Sequence, residues 1–95
     1  MSTTPKHIVI TGPTAGIGRA AALSLASQGA QLTLLCRNLE KGLMLSKAIE
    51  SGGGLKPHLV QMDMASLQSV RTAAASVLDL GLPIDVLLNN AGLIN

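Results

Sequence analysis

Short apolar runs alternate with longer helical segments along the whole of this chain. The apolar runs are typical of buried strands and occupy residues 7–11, 31–36, 59–62 and 85–88. Between them, residues 17–28, residues 39–50 and a segment after Ser66 have the composition and apolar spacing of helices. Such alternation with short connections predicts a parallel sheet covered by helices on both faces. We therefore expect a doubly wound α/β fold with strand order 3-2-1-4, ending after the fourth strand.

Residues suited to helix termini support these segments. Asn38 and Ser66 each precede a helical segment and are suited to capping its first turn. Gly29 follows the first helix, where glycine is the preferred residue. In the third helix, we expect one buried stripe formed by Leu67, Val70, Ala74, Val77 and Leu78.

A glycine-rich loop, TGPTAGIG over residues 11–18, joins the first strand to the first helix. Gly12 lets the chain turn sharply off the strand, Gly16 lets the backbone approach a bound group closely, and Gly18 lets the helix pack tightly against the sheet. The free N–H groups and the positive dipole end of the helix would then hold an anion. The loop therefore predicts a phosphate-binding turn.

The glycine spacing distinguishes this loop from other nucleotide-binding loops. A P-loop requires Gly-Lys followed by Ser or Thr, whereas Ile17-Gly18-Arg19 stands there. The usual dinucleotide pattern fits Gly16, Gly18 and Ala21 only if the first glycine after the strand is ignored. The pattern that fits the loop is Gly-x-x-x-Gly-x-Gly.

Two motifs together resemble the short-chain dehydrogenase/reductase family. One is the Thr-Gly-x-x-x-Gly-Ile-Gly loop, and the other is the Asn-Asn-Ala-Gly sequence at residues 89–92, after the fourth strand. The resemblance covers essentially the whole chain and corresponds to the N-terminal, cofactor-binding half of that family. It implies that residues 1–95 form a partial Rossmann-like domain. Within the family, CRNLEK at residues 36–41 looks most like the retinol-dehydrogenase-like branch.

The resemblance also implies a site for a nicotinamide dinucleotide. The expected cofactor-binding residues are Gly12, Thr14, Ala15, Gly16, Ile17, Gly18, Arg37, Asn38, Asp63, Met64, Asn90, Ala91 and Gly92. Asp63 stands where the family typically contacts the adenine ring; the alternative is that Asp63 only starts a loop and helps to cap the third helix. Asn89 and Asn90 are expected to fix neighbouring strands through their side chains, with backbone contact to a ribose.

Cofactor choice follows from the end of the second strand. NAD-selective folds place a carboxylate there to bind the ribose 2′-hydroxyl, and this carboxylate would repel a 2′-phosphate. Here the position holds the neutral Cys36, followed by Arg37, whose guanidinium suits a phosphate. The sequence therefore predicts NADP(H) over NAD(H), with a solvated surface charge as the alternative for Arg37. The other basic position of the family is Ala15 here.

Catalysis is expected to need groups that these residues do not supply. The family resemblance implies hydride transfer, with a Tyr as general acid–base, a Lys that lowers its pKa and a Ser that orients the substrate. The sequence contains no Tyr, so we expect no catalytic residue and no useful turnover from this chain alone. Three hypotheses remain: the N-terminal portion of an NADP-dependent enzyme, which we favour, a non-catalytic NADP-binding or dimerisation module, or one half of a split enzyme.

Composition limits the other partners. The net charge of +2 comes from scattered residues, which argues against nucleic-acid binding. The first apolar run is too short for a membrane span or a secretory signal. Neither the single Cys nor the two His residues have metal-ligand spacing, so we expect no metal. A single Cys allows no intrachain disulfide, and together with the lack of a targeting segment this predicts a cytoplasmic, reducing compartment. The uncovered edge of the fourth strand predicts self-association or a partner chain.

Overall fold

The computed structural model describes residues 4–90 and contains a single sheet flanked by helices. The elements in chain order are β1 His7–Thr11, α1 Gly16–Ser27, β2 Gln31–Cys36, α2 Leu39–Ser51, β3 His58–Gln61, α3 Leu67–Asp79 and β4 Val86–Asn89. The four described strands pair in the order β3-β2-β1-β4, and every pair is parallel. The doubly wound Rossmann-like fold and its strand order are thus confirmed.

Strand β1 lies in the middle of the sheet, between β2 and β4. Thr11, its last residue, is in register with Leu35 of β2 and with Asn89 of β4. Because all strands run in the same direction, the loop after each strand leaves from one common edge of the sheet. The glycine loop, the segment after Cys36 and the segment after Gln61 therefore lie side by side.

Two separate apolar layers hold the helices against the sheet. On one face, the alternate residues of β1 and β2 pack against α1 and α2; the buried members are Ile8, Ile10, Ala22, Ala26, Ala30, Leu32, Leu34, Leu45 and Ile49. On the other face, α3 packs over the residues of opposite parity; the buried members are Val9, Leu35, Met62, Ala73 and Val77. Successive strand residues point to opposite faces, so each central strand serves both layers.

The buried face of α3 differs from the predicted stripe. Ala73 and Val77 are buried, while Leu67 and Leu78 are 65% and 73% exposed. The predicted stripe merged two adjacent faces of the helix. The face that contacts the sheet has small or β-branched residues at 70, 73 and 77, which allow a close approach, and the leucines lie on the outer face.

A buried histidine joins three strands at the edge of the sheet opposite the glycine loop. His7 Nδ1 donates to the carbonyl O of Pro83 at 3.1 Å, and Nε2 lies 2.6 Å from Thr33 Oγ1. Because a carbonyl only accepts, Nδ1 carries a proton, and Nε2 shares a hydrogen bond with the Thr33 hydroxyl, which can donate or accept. The His7 backbone N–H also donates to Asp85 Oδ2 at 2.8 Å. His7 is therefore a structural residue that connects β1, β2 and the start of β4.

Within residues 4–90, none of the helices has the length and apolar character needed to cross a lipid bilayer.

Candidate functional site

The glycine loop makes its turn with two left-handed residues. Gly12 has φ 62° and Gly16 has φ 57°, a region that L side chains adopt rarely. Gly16 begins α1, and the preceding residue, Ala15, has no side chain that could cap the helix. Among residues 4–90, the N–H groups of Gly16, Ile17 and Gly18 have no hydrogen-bond acceptor. The start of α1 therefore presents free donors at the positive end of the helix dipole.

Gly18 is required because the loop folds back onto the first turn of α1. A Cβ on Gly18 would collide with the carbonyl O of Gly12 and would lie 2.5 Å from Asn90 Nδ2. The close approach is therefore to the loop and to the end of β4, rather than to the sheet as the sequence suggested. The missing side chain is what allows these three segments to meet.

Two asparagines at the end of β4 hold this loop in place. Thr11 Oγ1 donates to Asn89 Oδ1 at 3.1 Å, which joins the ends of β1 and β4. Asn90 Nδ2 donates to the carbonyl O of Gly12 at 2.9 Å. These contacts agree with the expected side-chain role of both residues. The other two residues of the motif, Ala91 and Gly92, lie outside the described residues.

The end of β2 presents a neutral thiol. Cys36 is 2% exposed, and burial raises the pKa of its thiol above the ordinary value. Gly42 of α2 passes so close that a Cβ there would lie 2.5 Å from Cys36 Sγ. The side chain at the end of β2 is thus a thiol rather than a carboxylate. Because burial raises its pKa, the thiol is protonated at neutral pH.

A cationic concavity follows directly after Cys36. Arg37 is exposed, and among residues 4–90 its guanidinium has no hydrogen bond or ion pair. Asn38 caps α2, since its Oδ1 accepts from the backbone N–H of Lys41 at 3.1 Å. Gln61 Nε2 donates to the carbonyl O of Arg37 at 3.3 Å and so connects this turn to β3. The concavity has a volume of about 680 Å³ and is lined by Arg37, Asn38, Leu39, Glu40, Lys41 and Gln61.

Lys41 and Gln61 were not predicted as site residues. Lys41 follows Arg37 by four residues, and this spacing could have indicated that its side chain, in the first turn of α2, lies on the same surface as Arg37. No comparable local signal existed for Gln61, because its position depends on the pairing of β2 with β3.

The end of β3 places Asp63 between the sheet and α3. Asp63 is partly buried; its backbone N–H donates to Ser69 Oγ at 2.8 Å, and its Oδ1 accepts from the Ala65 N–H at 2.9 Å. Asp63 therefore shapes the loop that leads to α3, while the cap of the helix is Ser66. Among residues 4–90, Oδ2 of Asp63 has no hydrogen-bond donor, so it remains available to a ligand. Met64 is 50% exposed beside it.

The predicted site residues within 4–90 thus fall at one edge of the sheet. Gly12, Gly16, Gly18 and Asn90 lie together around the loop, while Thr14 is half-buried and Ala15 and Ile17 are exposed at its surface. Arg37 with Asn38, and Asp63 with Met64, follow the two neighbouring strands. In the described part of the chain, no group of three or more His, Cys, Asp or Glu side chains is placed to bind a metal ion.

Known proteins with similar sequences and folds share this arrangement of elements. The sequence model described as short chain dehydrogenase matches residues 6–95. Human retinol dehydrogenase 13 is 39% identical over 89 residues, which cover 92% of this chain and 27% of that protein. A crystal structure of a short chain dehydrogenase from Salmonella enterica has a TM-score of 0.84 and 33% identity, covering 94% of this chain and 37% of that one.

A second solved structure, of a metagenomic short-chain oxidoreductase in complex with NADP, has a TM-score of 0.78 and 32% identity, covering 86% of this chain and 37% of that one. The chain therefore spans about a quarter to two fifths of the length of these relatives. The family match extends over nearly all of its residues, and the fold agrees with the matched structures. The chain belongs to the short chain dehydrogenase family.

Proposed function

We propose that this chain is the NADP(H)-binding portion of an oxidoreductase that transfers hydride between the nicotinamide and an alcohol or carbonyl carbon. The observation that carries this proposal is the glycine loop. It has two left-handed glycines, a first helical turn with free N–H groups, and a Gly18 position into which no side chain fits.

The loop suits the pyrophosphate of a dinucleotide. Residues 14–18 would bind it through backbone N–H groups, which donate to phosphate oxygens and are supported by the helix dipole. Gly16 leaves open space where a Cβ would stand: apart from its chain neighbours and the backbone of its own helix, no atom lies within 4 Å of that position. A phosphate can therefore come close to the backbone. Asn90 keeps Gly12 in the conformation that this approach requires.

The end of β2 favours a 2′-phosphate on the adenosine ribose. The neutral thiol of Cys36 neither binds a 2′-hydroxyl as a carboxylate does nor repels a phosphate. Arg37 offers a guanidinium with no partner among residues 4–90, and Lys41 adds a second positive charge to the same concavity. Glu40, which also lines it, reduces this field. The solved relative in complex with NADP agrees with the preference.

The remaining contacts are assigned from the same edge of the sheet. Asp63, through Oδ2, would accept a hydrogen bond from the adenine amino group, and Met64 would pack beside the ring. Asn90, with Ala91 and Gly92, would contact the ribose on the nicotinamide side.

The family's chemistry needs a general acid–base that this sequence does not contain. The cofactor supplies the hydride, and a Tyr is the acid–base that the family resemblance implies. None of the 95 residues is Tyr. The role proposed for this chain is therefore binding and orientation of the cofactor, with no catalytic residue of its own.

The experiment is a fluorescence titration with NADPH and NADH of the unaltered chain, of Arg37→Asp and of Arg71→Asp. Arg71 is an exposed arginine on α3 and serves as the matched control. Because Arg37 is exposed, solvent screening limits its preference for the 2′-phosphate to about 1 kcal/mol, or about fivefold in the affinity ratio. We expect Arg37→Asp to remove this preference and Arg71→Asp to retain it. An unchanged ratio in Arg37→Asp would exclude Arg37 from cofactor selection.

A second proposal concerns the edge strand. In the part of the chain that the structure describes, β4 has a neighbour on one side only, and Val86 and Leu87 are 42% and 62% exposed. We propose that two copies associate through this apolar edge. Sedimentation velocity should show a dimer that Leu87→Lys dissociates; a monomer at all concentrations would exclude this association.

A further inference from the structure

Three hydrogen bonds close a ring of Asp63, Ser66 and Ser69 between the end of β3 and the first turn of α3, and a fourth bond holds the Asp63 side chain. The Ser66 N–H donates to the carbonyl O of Asp63 at 3.0 Å, and the Ser69 N–H donates to Ser66 Oγ at 3.1 Å. Ser69 Oγ in turn accepts from the Asp63 N–H at 2.8 Å, and Asp63 Oδ1 accepts from the Ala65 N–H at 2.9 Å. The four bonds therefore provide hydrogen-bond partners for the N–H and the carbonyl O of Asp63 and for one of its carboxylate oxygens.

This ring differs from an ordinary capping box in what it immobilises. In a capping box, the side chain three residues into the helix bonds the backbone N–H of the N-cap residue itself. Here the N-cap is Ser66, and the Ser69 hydroxyl passes it and reaches the N–H of Asp63. The Ser69 hydroxyl thereby gives the part-buried N–H of Asp63 its acceptor. The bond fixes the residue that leaves β3, and with it the direction of the Asp63 side chain.

The fixed carboxylate has one oxygen left for a ligand. Oδ1 points to the Ala65 N–H, whereas Oδ2 has no donor among residues 4–90. An ionised carboxylate only accepts hydrogen bonds, so Oδ2 selects a ligand that presents a donor at that point. A 6-amino purine presents an N–H donor, whereas a 6-oxo purine presents an acceptor at the same position.

We propose that Ser69 is a positioning residue for base recognition, which holds Asp63 so that the site prefers a 6-amino purine to a 6-oxo purine. This inference rests on the proposed function, in which Asp63 faces the adenine of the cofactor. Loss of the Ser69 hydroxyl frees the Asp63 N–H, so the backbone that carries the carboxylate is less fixed relative to β3, although Oδ1 still accepts from the Ala65 N–H. A misaligned hydrogen bond is weak, so the preference between the two bases decreases.

The test compares NADPH with its hypoxanthine analogue, reduced nicotinamide hypoxanthine dinucleotide phosphate, in equilibrium titrations. The two ligands differ only at the purine, so their affinity ratio reports base recognition and cancels changes in pyrophosphate or 2′-phosphate binding. We expect the unaltered chain to prefer NADPH by about tenfold, the value of one hydrogen bond to a charged group. Ser69→Ala should reduce this preference by about threefold to fivefold, and Ser76→Ala, an exposed serine on the same helix, should leave it unchanged.

A matched pair of variants separates the hydroxyl from its volume. Ser69→Thr retains the hydroxyl and should retain the preference, whereas Ser69→Val has the same shape without the acceptor and should lose it. The pair also supplies the comparison if Ser69→Ala does not fold, as judged by circular dichroism. In an Asp63→Ala background, Ser69→Ala should change the ratio no further.

The outcomes distinguish this inference from the function on which it rests. Equal ratios for Ser69→Thr and Ser69→Val, or for the unaltered chain and Ser69→Ala, with both ligands still bound, would overturn the positioning role alone. Failure of the unaltered chain to bind either ligand would overturn the proposed function together with the inference.

Discussion

A methyl group at residue 18 is the smallest change that should open the glycine loop. In Gly18→Ala, the new Cβ meets the carbonyl O of Gly12 and lies 2.5 Å from Asn90 Nδ2. Both atoms belong to the same hydrogen bond, in which Asn90 Nδ2 donates to Gly12 O at 2.9 Å. The methyl group cannot be accommodated unless that bond breaks and the loop moves away from α1.

The magnitude follows from three contributions. Overpacking a well-filled position costs about 1–3 kcal/mol, and the loss of the hydrogen bond costs about 1 kcal/mol more. Alanine has a higher helix propensity than glycine, which returns up to about 1 kcal/mol near the start of α1. We expect Gly18→Ala to lower the free energy of unfolding by about 1–3 kcal/mol and to weaken NADPH binding at least tenfold.

Urea denaturation followed by circular dichroism, together with NADPH titration, measures both effects. Gly52→Ala is the matched control, because a Cβ on Gly52 would lie at an ordinary 3.6 Å from its neighbours and Gly52 has a negative φ of −84°. This control should keep cofactor affinity unchanged. In an Asn90→Ala background, one of the two collisions is absent, so the added cost of Gly18→Ala should be smaller. A Gly18→Ala variant as stable as the parent, with full affinity for NADPH, would refute this reasoning.

Two further predictions concern buried polar groups. His7→Leu leaves the carbonyl of Pro83 and the hydroxyl of Thr33 without their partner. Urea denaturation should show a free energy of unfolding lower by about 2–3 kcal/mol, and the NADPH-to-NADH affinity ratio should not change. A variant as stable as the parent would contradict the structural role of the His7 imidazole. Burial raises the pKa of the Cys36 thiol, so its contribution to stability is complete below the ordinary thiol pKa and decreases as the pH rises above about 8.5. Urea midpoints between pH 7 and 10 should show this decrease, Cys36→Ala should show a flatter dependence, and identical pH profiles would exclude the thiol as its source.

Local sequence signals were sufficient for the elements and for the caps. The predicted bounds of β1 and β2 agree with the structure, because each strand is a short run rich in apolar and β-branched residues that is followed by Gly12 or by Arg37. Asn38 and Ser66 cap their helices as expected, since a cap depends only on residues within one turn. The strand order follows in turn from the alternation of elements and from the usual order of strands in a doubly wound sheet.

Contacts that depend on tertiary packing were not predictable in the same way. The bonds of His7 to Pro83 and of Gln61 to Arg37 join residues that are distant in sequence and meet only after the strands pair. The outward face of α3 was missed for a related reason: Leu67 and Leu78 have the spacing of a buried stripe, but the helix approaches the sheet through Ala73. The second role of Ser69 required knowledge of the path between β3 and α3.

The most direct measurement of cofactor binding is an amide NMR titration of the ¹⁵N-labelled chain with NADPH. We expect saturable shifts that are largest at the N–H groups of residues 14–18, with smaller ones at Arg37 and Asp63. Saturable shifts located elsewhere, with residues 14–18 unaffected, would contradict it.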